Sequence, residues 1–163
     1  MTIRPAEPGD HGAIREVIGA AFERGGSVEA LIVEGVRTEG AALVELVAQD
    51  ADRVVGHILF SRMTCAPPRF LAGLGPLAVH PEYQKLGTGA ALSRAGLDGC
   101  RRLGVEAVVV LGHPAYYARF GFSAASARRV QSPYSGSSAF MALELTPGAL
   151  NADTEVAYPS AFG

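Results

Sequence analysis

The stretch Leu77-Ala78-Val79-His80-Pro81-Glu82-Tyr83-Gln84-Lys85-Leu86-Gly87-Thr88-Gly89 decides how the rest of the chain is to be read. The apolar run up to Val79 reads as the end of a strand. Pro81 breaks it, and Gly87 and Gly89 open a helix. The first turn of a helix carries unpaired backbone N–H groups, and the macrodipole adds partial positive charge there. Glycines at 87 and 89 remove side chains where an anion must approach the backbone. Lys85 adds a point charge and Gln84 an amide donor, so the segment has the makings of a pyrophosphate cradle.

Spacing separates this cradle from two others. A dinucleotide-binding turn needs G-x-G-x-x-G with its first glycine directly after the strand. Here the third glycine position is Leu92, and several residues separate Val79 from Gly87. A P-loop places its lysine after the last glycine, followed by Ser or Thr, whereas Lys85 precedes both glycines.

Working back from the cradle, Leu71 to Val79 reads as a long strand interrupted at Gly75-Pro76, with a loop at Pro67-Pro68 before it. Leu43 to Ala48 and Val54 to Phe60 read as two strands joined through Asp50-Ala51-Asp52 as a hairpin. Nearer the N-terminus, Asp10 is placed to cap a helix with the apolar stripe Ile14, Val17, Ile18, Ala21 and Phe22, stopped by Gly25-Gly26. A second helix starts at Ser27, with Val28, Leu31, Ile32 and Val36 on one face. Ile3 begins a short edge segment ended by Pro5 and Pro8.

Working forward, Ala91, Leu92, Ala95 and Leu103 fit a helix ending at Gly104. Val105 to Leu111 is a buried strand by its run of β-branched residues. A short aromatic helix, Ala115 to Arg119, follows, and Phe140 to Leu145 is the last clear strand. Residues Asn151 to Gly163 read as a tail packed along the surface. The order β-α-α-β-β-β-α-β-α-β describes one mixed α/β domain over residues 1–163, with an antiparallel first half and one strand-helix-strand crossover.

The bulk properties narrow the partners. A net charge of −2 gives no electrostatic reason to expect nucleic acid or an anionic membrane surface. The longest apolar run is far too short to span a bilayer. Cys65 and Cys100 form no C-x-x-C pair and have no metal-ligand spacing with the histidines, which fits free thiols and a cytoplasmic setting with no metal.

The residues resemble the Gcn5-related N-acetyltransferase (GNAT) family. Its hallmark, a strand followed by Gln/Arg-x-x-Gly-x-Gly/Ala at a helix start, is matched by Gln84, Gly87 and Gly89. Its second hallmark is matched by Tyr117-Ala118-Arg119-Phe120-Gly121-Phe122, and the element order is similar over nearly the whole chain. Val110-Leu111-Gly112-His113-Pro114-Ala115-Tyr116-Tyr117 and Tyr158-Pro159 look like the YhbS-type subgroup. The resemblance implies a mixed α+β fold with a central, mostly antiparallel sheet of about six to seven strands, a splayed strand pair and about four flanking helices.

It further implies acetyl-CoA as co-substrate, with the pyrophosphate on Gln84, Lys85, Leu86, Gly87, Thr88 and Gly89. The pantetheine arm would lie along Leu77, Ala78 and Val79, where the strands ending at Val79 and Leu111 part. The acceptor implied is an amine on a small molecule or peptide, attacking the thioester directly, with Tyr117 as general acid to the departing thiolate. The base is open among His57, Glu23, Glu82 and His113, and Glu23, Glu29, Glu34 and Glu39 offer acidic charge to a cationic amine. Tyr116 reads as a packing residue. A homodimer is compatible with the composition. One rival reading is a domain of the same fold that senses acyl-CoA, or binds a partner, without turnover, and a second is an enzyme that uses a longer acyl group or an acyl-carrier protein.

Overall fold

The computed structural model describes residues 1–163. Strands run over Thr2–Pro5 (β1), Ala42–Asp50 (β2), Arg53–Ala66 (β3), Leu71–Val79 (β4), Ala107–Leu111 (β5), Val130–Gln131 (β6), Phe140–Glu144 (β7) and Thr154–Ala157 (β8). Helices run over His11–Ala21 (α1), Ser27–Thr38 (α2), Thr88–Leu103 (α3) and Pro114–Tyr117 (α4). All eight strands join one sheet in the order β1-β2-β3-β4-β5-β7, with β8 pairing β3 and β6 off that path. Only β4–β5 and β6–β8 are parallel.

The sheet is covered on both faces. Leu92, Leu97 and Cys100 of α3 pack on Ile58, Phe60 and Ala72. Gly96 is what lets this helix sit down: a Cβ there would lie 2.1 Å from the Phe60 ring. On the opposite face Ile14, Val17 and Ile18 of α1 and Val33 and Val36 of α2 cover Val47, Leu59 and Ala78. Large aliphatic side chains sealed in this way contribute roughly 1.5–3 kcal/mol each.

Three sequence expectations are corrected. Val28 and Leu31 are 64% and 66% exposed, because α2 is rotated so that Val33 and Val36 meet the sheet. The helix is apolar enough to offer two overlapping stripes, and contact with α1 and the sheet selects one. Asp10 precedes α1 but does not cap it with its side chain. Its carboxylate instead accepts two hydrogen bonds from Arg4 (both 2.8 Å) and one from the Glu7 N–H (2.8 Å). Finally, Phe140–Glu144 is not the last strand. Thr154 and Val156 of β8 are buried, and β8 pairs Thr64–Ala66 of β3, so the tail is part of the sheet.

The step that positions the site is at β4. Leu77 pairs with Ile58 and Leu74 with Phe60, so β4 spends one residue more than β3 across Gly75-Pro76, a bulge. On its other edge β4 pairs with β5 only from Leu71↔Ala107 to Leu74↔Val110. Beyond that point β4 stays with β3, while the Gly112 N–H following β5 bonds to Ala139 beside β7. The two parallel strands part.

Candidate active site

The gap between β4 and β5 opens into a cleft of about 730 Å³. Its floor is Leu77 and Val79, and one wall is Gln84, Lys85, Gly87, Gly89 and Ala90. The other wall is His113, Tyr116 and Arg119, with Ala21 at the end of α1. Backbone N–H groups alternate across a strand, and the His80 N–H bonds to Val55 of β3 (2.8 Å). The N–H groups of Val79 and Leu77 therefore point away from β3, into the gap. The Gln84 amide folds back and donates to the Val79 carbonyl (2.9 Å), so that acceptor is already taken.

The loop is built to turn N–H groups outward. His80 accepts from the Glu82 N–H (3.2 Å) and holds the turn Pro81–Tyr83. Thr88, buried, donates to the Tyr83 carbonyl (3.4 Å) and ties the turn to the start of α3. Lys85 has φ of +64° and Gly87 of +88°, on either side of Leu86. Residues of alternating backbone hand direct successive N–H groups into one concavity. Holding a lysine there costs roughly 1–2 kcal/mol, which a glycine would not incur. Space above Gly87 is open, whereas a Cβ on Gly89 would lie 2.6 Å from the Tyr116 hydroxyl. Leu86 points to solvent, 70% exposed, and the Ala78 side chain is buried beneath α1 and α2.

The two adjacent tyrosines of α4 diverge. Tyr116 reaches across the cleft to Gly89. Tyr117 turns inward, its ring edge-on to Tyr116 (5.0 Å), Phe120 (6.4 Å) and Phe122 (5.9 Å) and lying over Gly112, where a Cβ would come within 2.5 Å of it. Burial, with a smaller contribution from Tyr116, pushes the Tyr117 phenol up to about 12.

A model of the acetyltransferase (GNAT) family matches residues 13–122. The chain belongs to this family. It is 35% identical over 157 residues to the uncharacterized N-acetyltransferase YhbS of Escherichia coli K12, covering 94% of this chain and 93% of that one. A crystal structure of YhbS from Escherichia coli in complex with CoA superimposes with a TM-score of 0.90 at 34% identity, over 99% of this chain and 91% of that one. A GNAT family acetyltransferase from Brucella melitensis in complex with acetyl-CoA gives a TM-score of 0.83 at 34% identity, over 99% and 97% of the two chains.

Within this GNAT domain the candidate bases are scattered. His113 lines the cleft. Glu82 is engaged by Arg53 (3.2 Å), and neither it nor Glu23 lines the cleft. His57 is fully buried; its Nε2 lies 2.7 Å from Glu45 Oε2, and its Nδ1 has no partner. Glu45 also accepts from Arg37 (3.0 Å and 2.5 Å). Burial pushes this carboxyl up, but His57 and Arg37 outweigh it and hold it at about 2. The helix acids are partly spent on structure. Glu34 pairs with Arg15 (3.0 Å), and Glu39 accepts from the Ser160 hydroxyl (2.7 Å) and the Ala161 N–H (2.7 Å). Sequence reasoning passed over Arg119 as a cleft residue; its place depends on the rotation of α4, which the Tyr-Tyr pair leaves ambiguous.

Proposed function

We propose that the chain transfers an acetyl group from acetyl-CoA to a primary amine of a small molecule or peptide, in a ternary complex. The observation that carries this reading is the cleft itself: parted strands lead to an N–H-rich glycine loop, in a fold that matches CoA- and acetyl-CoA-bound relatives over 99% of the chain. The loop supplies what a pyrophosphate needs, the free N–H groups of the Gly87 turn and the Lys85 charge. The Leu77 and Val79 N–H groups suit an amide-bearing pantetheine arm and the oxyanion, because unpaired backbone donors at mid-sheet carry a cost that a ligand relieves.

In the reaction the neutral amine attacks the thioester carbonyl carbon and a C–N bond forms. The C–S bond then breaks, the amine nitrogen gives up its proton to solvent, the departing thiolate takes one from the Tyr117 hydroxyl, and solvent reprotonates the phenolate. Support for this role comes from Tyr117's position after β5, where the strands part, and from a half-buried phenol that stays protonated at neutral pH, set behind Tyr116, which lines the cleft itself. Acetyl-CoA turnover against a broad amine panel, read as thiol release and by mass spectrometry of the acetylated product, tests the proposal. Thiol release that depends on an amine supports it. Tight acetyl-CoA binding with no acceptor-dependent release across the panel points to an acyl-CoA-sensing domain instead.

A further inference from the structure

The chain carries more acids than bases, 16 against 14, yet the cleft is lined by Lys85 and Arg119 and by no carboxylate. Lys85 belongs to the glycine loop. Arg119 stands on the opposite wall, and its side chain is organised. The guanidinium carbon lies 4.6 Å from the centre of the Tyr116 ring and 5.3 Å from that of Phe120. Its Nε–H donates to the Tyr116 carbonyl (3.4 Å). That leaves the two terminal NH2 groups, the pair best suited to a bidentate phosphate contact, with no carboxylate among the cleft-lining residues to engage them. A guanidinium resting close to two aromatic rings and tied through its Nε loses less freedom when it binds than a lysine on a flexible stem.

From this geometry we infer that Arg119 is a second phosphate-binding group, closing on the donor from the wall opposite the glycine loop. This rests on the reading of the cleft as an acetyl-CoA site and adds a residue to it. The ligand chemistry is a phosphate ester, supplied either by the pyrophosphate or by the 3′-phosphate of CoA. Arg94 provides the internal comparison, because it stacks on the same Phe120 ring (5.1 Å) without lining the cleft.

Calorimetric titration of wild type, Arg119→Ala, Arg119→Lys and Arg94→Ala with CoA and with dephospho-CoA tests this, and ligand-observed NMR with phosphate-free pantetheine completes it. Arg119→Ala should weaken CoA about tenfold or more, the size of a lost charge-assisted contact. Arg119→Lys should recover part of that, and Arg94→Ala should match wild type. A loss that persists with dephospho-CoA assigns Arg119 to the pyrophosphate, and one that disappears assigns it to the 3′-phosphate; either supports the inference. Pantetheine binding should not change. Equal CoA affinity of wild type and Arg119→Ala overturns the inference and leaves the proposed function standing. So does an equal loss for pantetheine, which would mean Arg119 acts only by packing Tyr116. Wild-type protein that binds no CoA removes the proposed function and this inference together.

Discussion

A phenol pushed up to about 12 is fully protonated at any pH at which an acetyltransferase assay is run. In the proposed reaction Tyr117 would therefore hold its proton until the thiolate departs. Tyr117→Phe should lower kcat by roughly 10²–10⁴-fold while leaving acetyl-CoA affinity nearly unchanged, since only the hydroxyl is removed and the ring packing stays. Steady-state kinetics with a calorimetric Kd checks this; a Phe variant with full kcat reduces Tyr117 to packing. Tyr117 also leaves a mark on stability. Its folded value lies above the usual 10, so its contribution is complete below about pH 10 and is lost as pH climbs toward 12, where the unfolded chain ionises first. Chemical unfolding between pH 9 and 11 should fall less steeply in the Phe variant.

Among the elements, β2, β3 and α2 are tied by one buried constellation. Glu45 accepts from Arg37 at the end of α2 and faces His57 of β3, and its side chain is 13% exposed. Depression of the carboxyl from the usual 4.5 to about 2 is worth on the order of 3 kcal/mol. Because the folded value is the lower one, that stability is fully present above about pH 4.5 and drains away as pH falls toward 2. Glu45→Gln should lower stability at pH 7 by a few kcal/mol, since a buried imidazole and a guanidinium lose their anion. It should also flatten the pH dependence between 5 and 2, as read by urea unfolding across that range; an unchanged acid slope would refute the assignment. The constellation was hard to see in the sequence, because its members are far apart and meet only through the β2–β3 register and the pitch of α2. Elements with local signatures were legible: the strand into the glycine loop, the break at Gly75-Pro76 and the aromatic turn after β5. Short elements were not, since two residues of β6 and four of β8 show no period, and the polar residues Ser61, Arg62 and Thr64 hid the second half of β3. The site divides in the same way. The glycine loop could be read because its chemistry is contiguous, whereas the Tyr116 hydroxyl above Gly89 and the guanidinium of Arg119 depend on how α4 docks.

At the scale of the whole molecule, the chain after β7 acts as a strap rather than a tail. β8 pairs with the far end of β3, and the Tyr158 ring stands where a Cβ on Gly73 of β4 would come within 3.3 Å of it. Ser160 and Ala161 bond to Glu39 at the end of α2. The strap thus links α2 to β3 and β4, and none of its residues lines the cleft. Its tightest fit is at Gly35, where a Cβ would sit 2.5 Å from that of Ala161. Both partners of that contact are short, with no flexible side chain to swing aside, so an added methyl must move the strap bodily. Gly35→Ala gains helix propensity, about 1 kcal/mol, against an overpacking cost of roughly 1–3 kcal/mol. The balance should be a loss, lowering Tm by a few degrees at about 2–4 °C per kcal/mol for a chain of this size. Hydrogen exchange should quicken at Tyr158 to Phe162 and at β8, and hold steady in α3. CoA affinity should stay within about twofold of wild type, because no strap residue lines the cleft. A Gly35→Ala protein with wild-type exchange in the strap would show that Ala161 does not bear on α2.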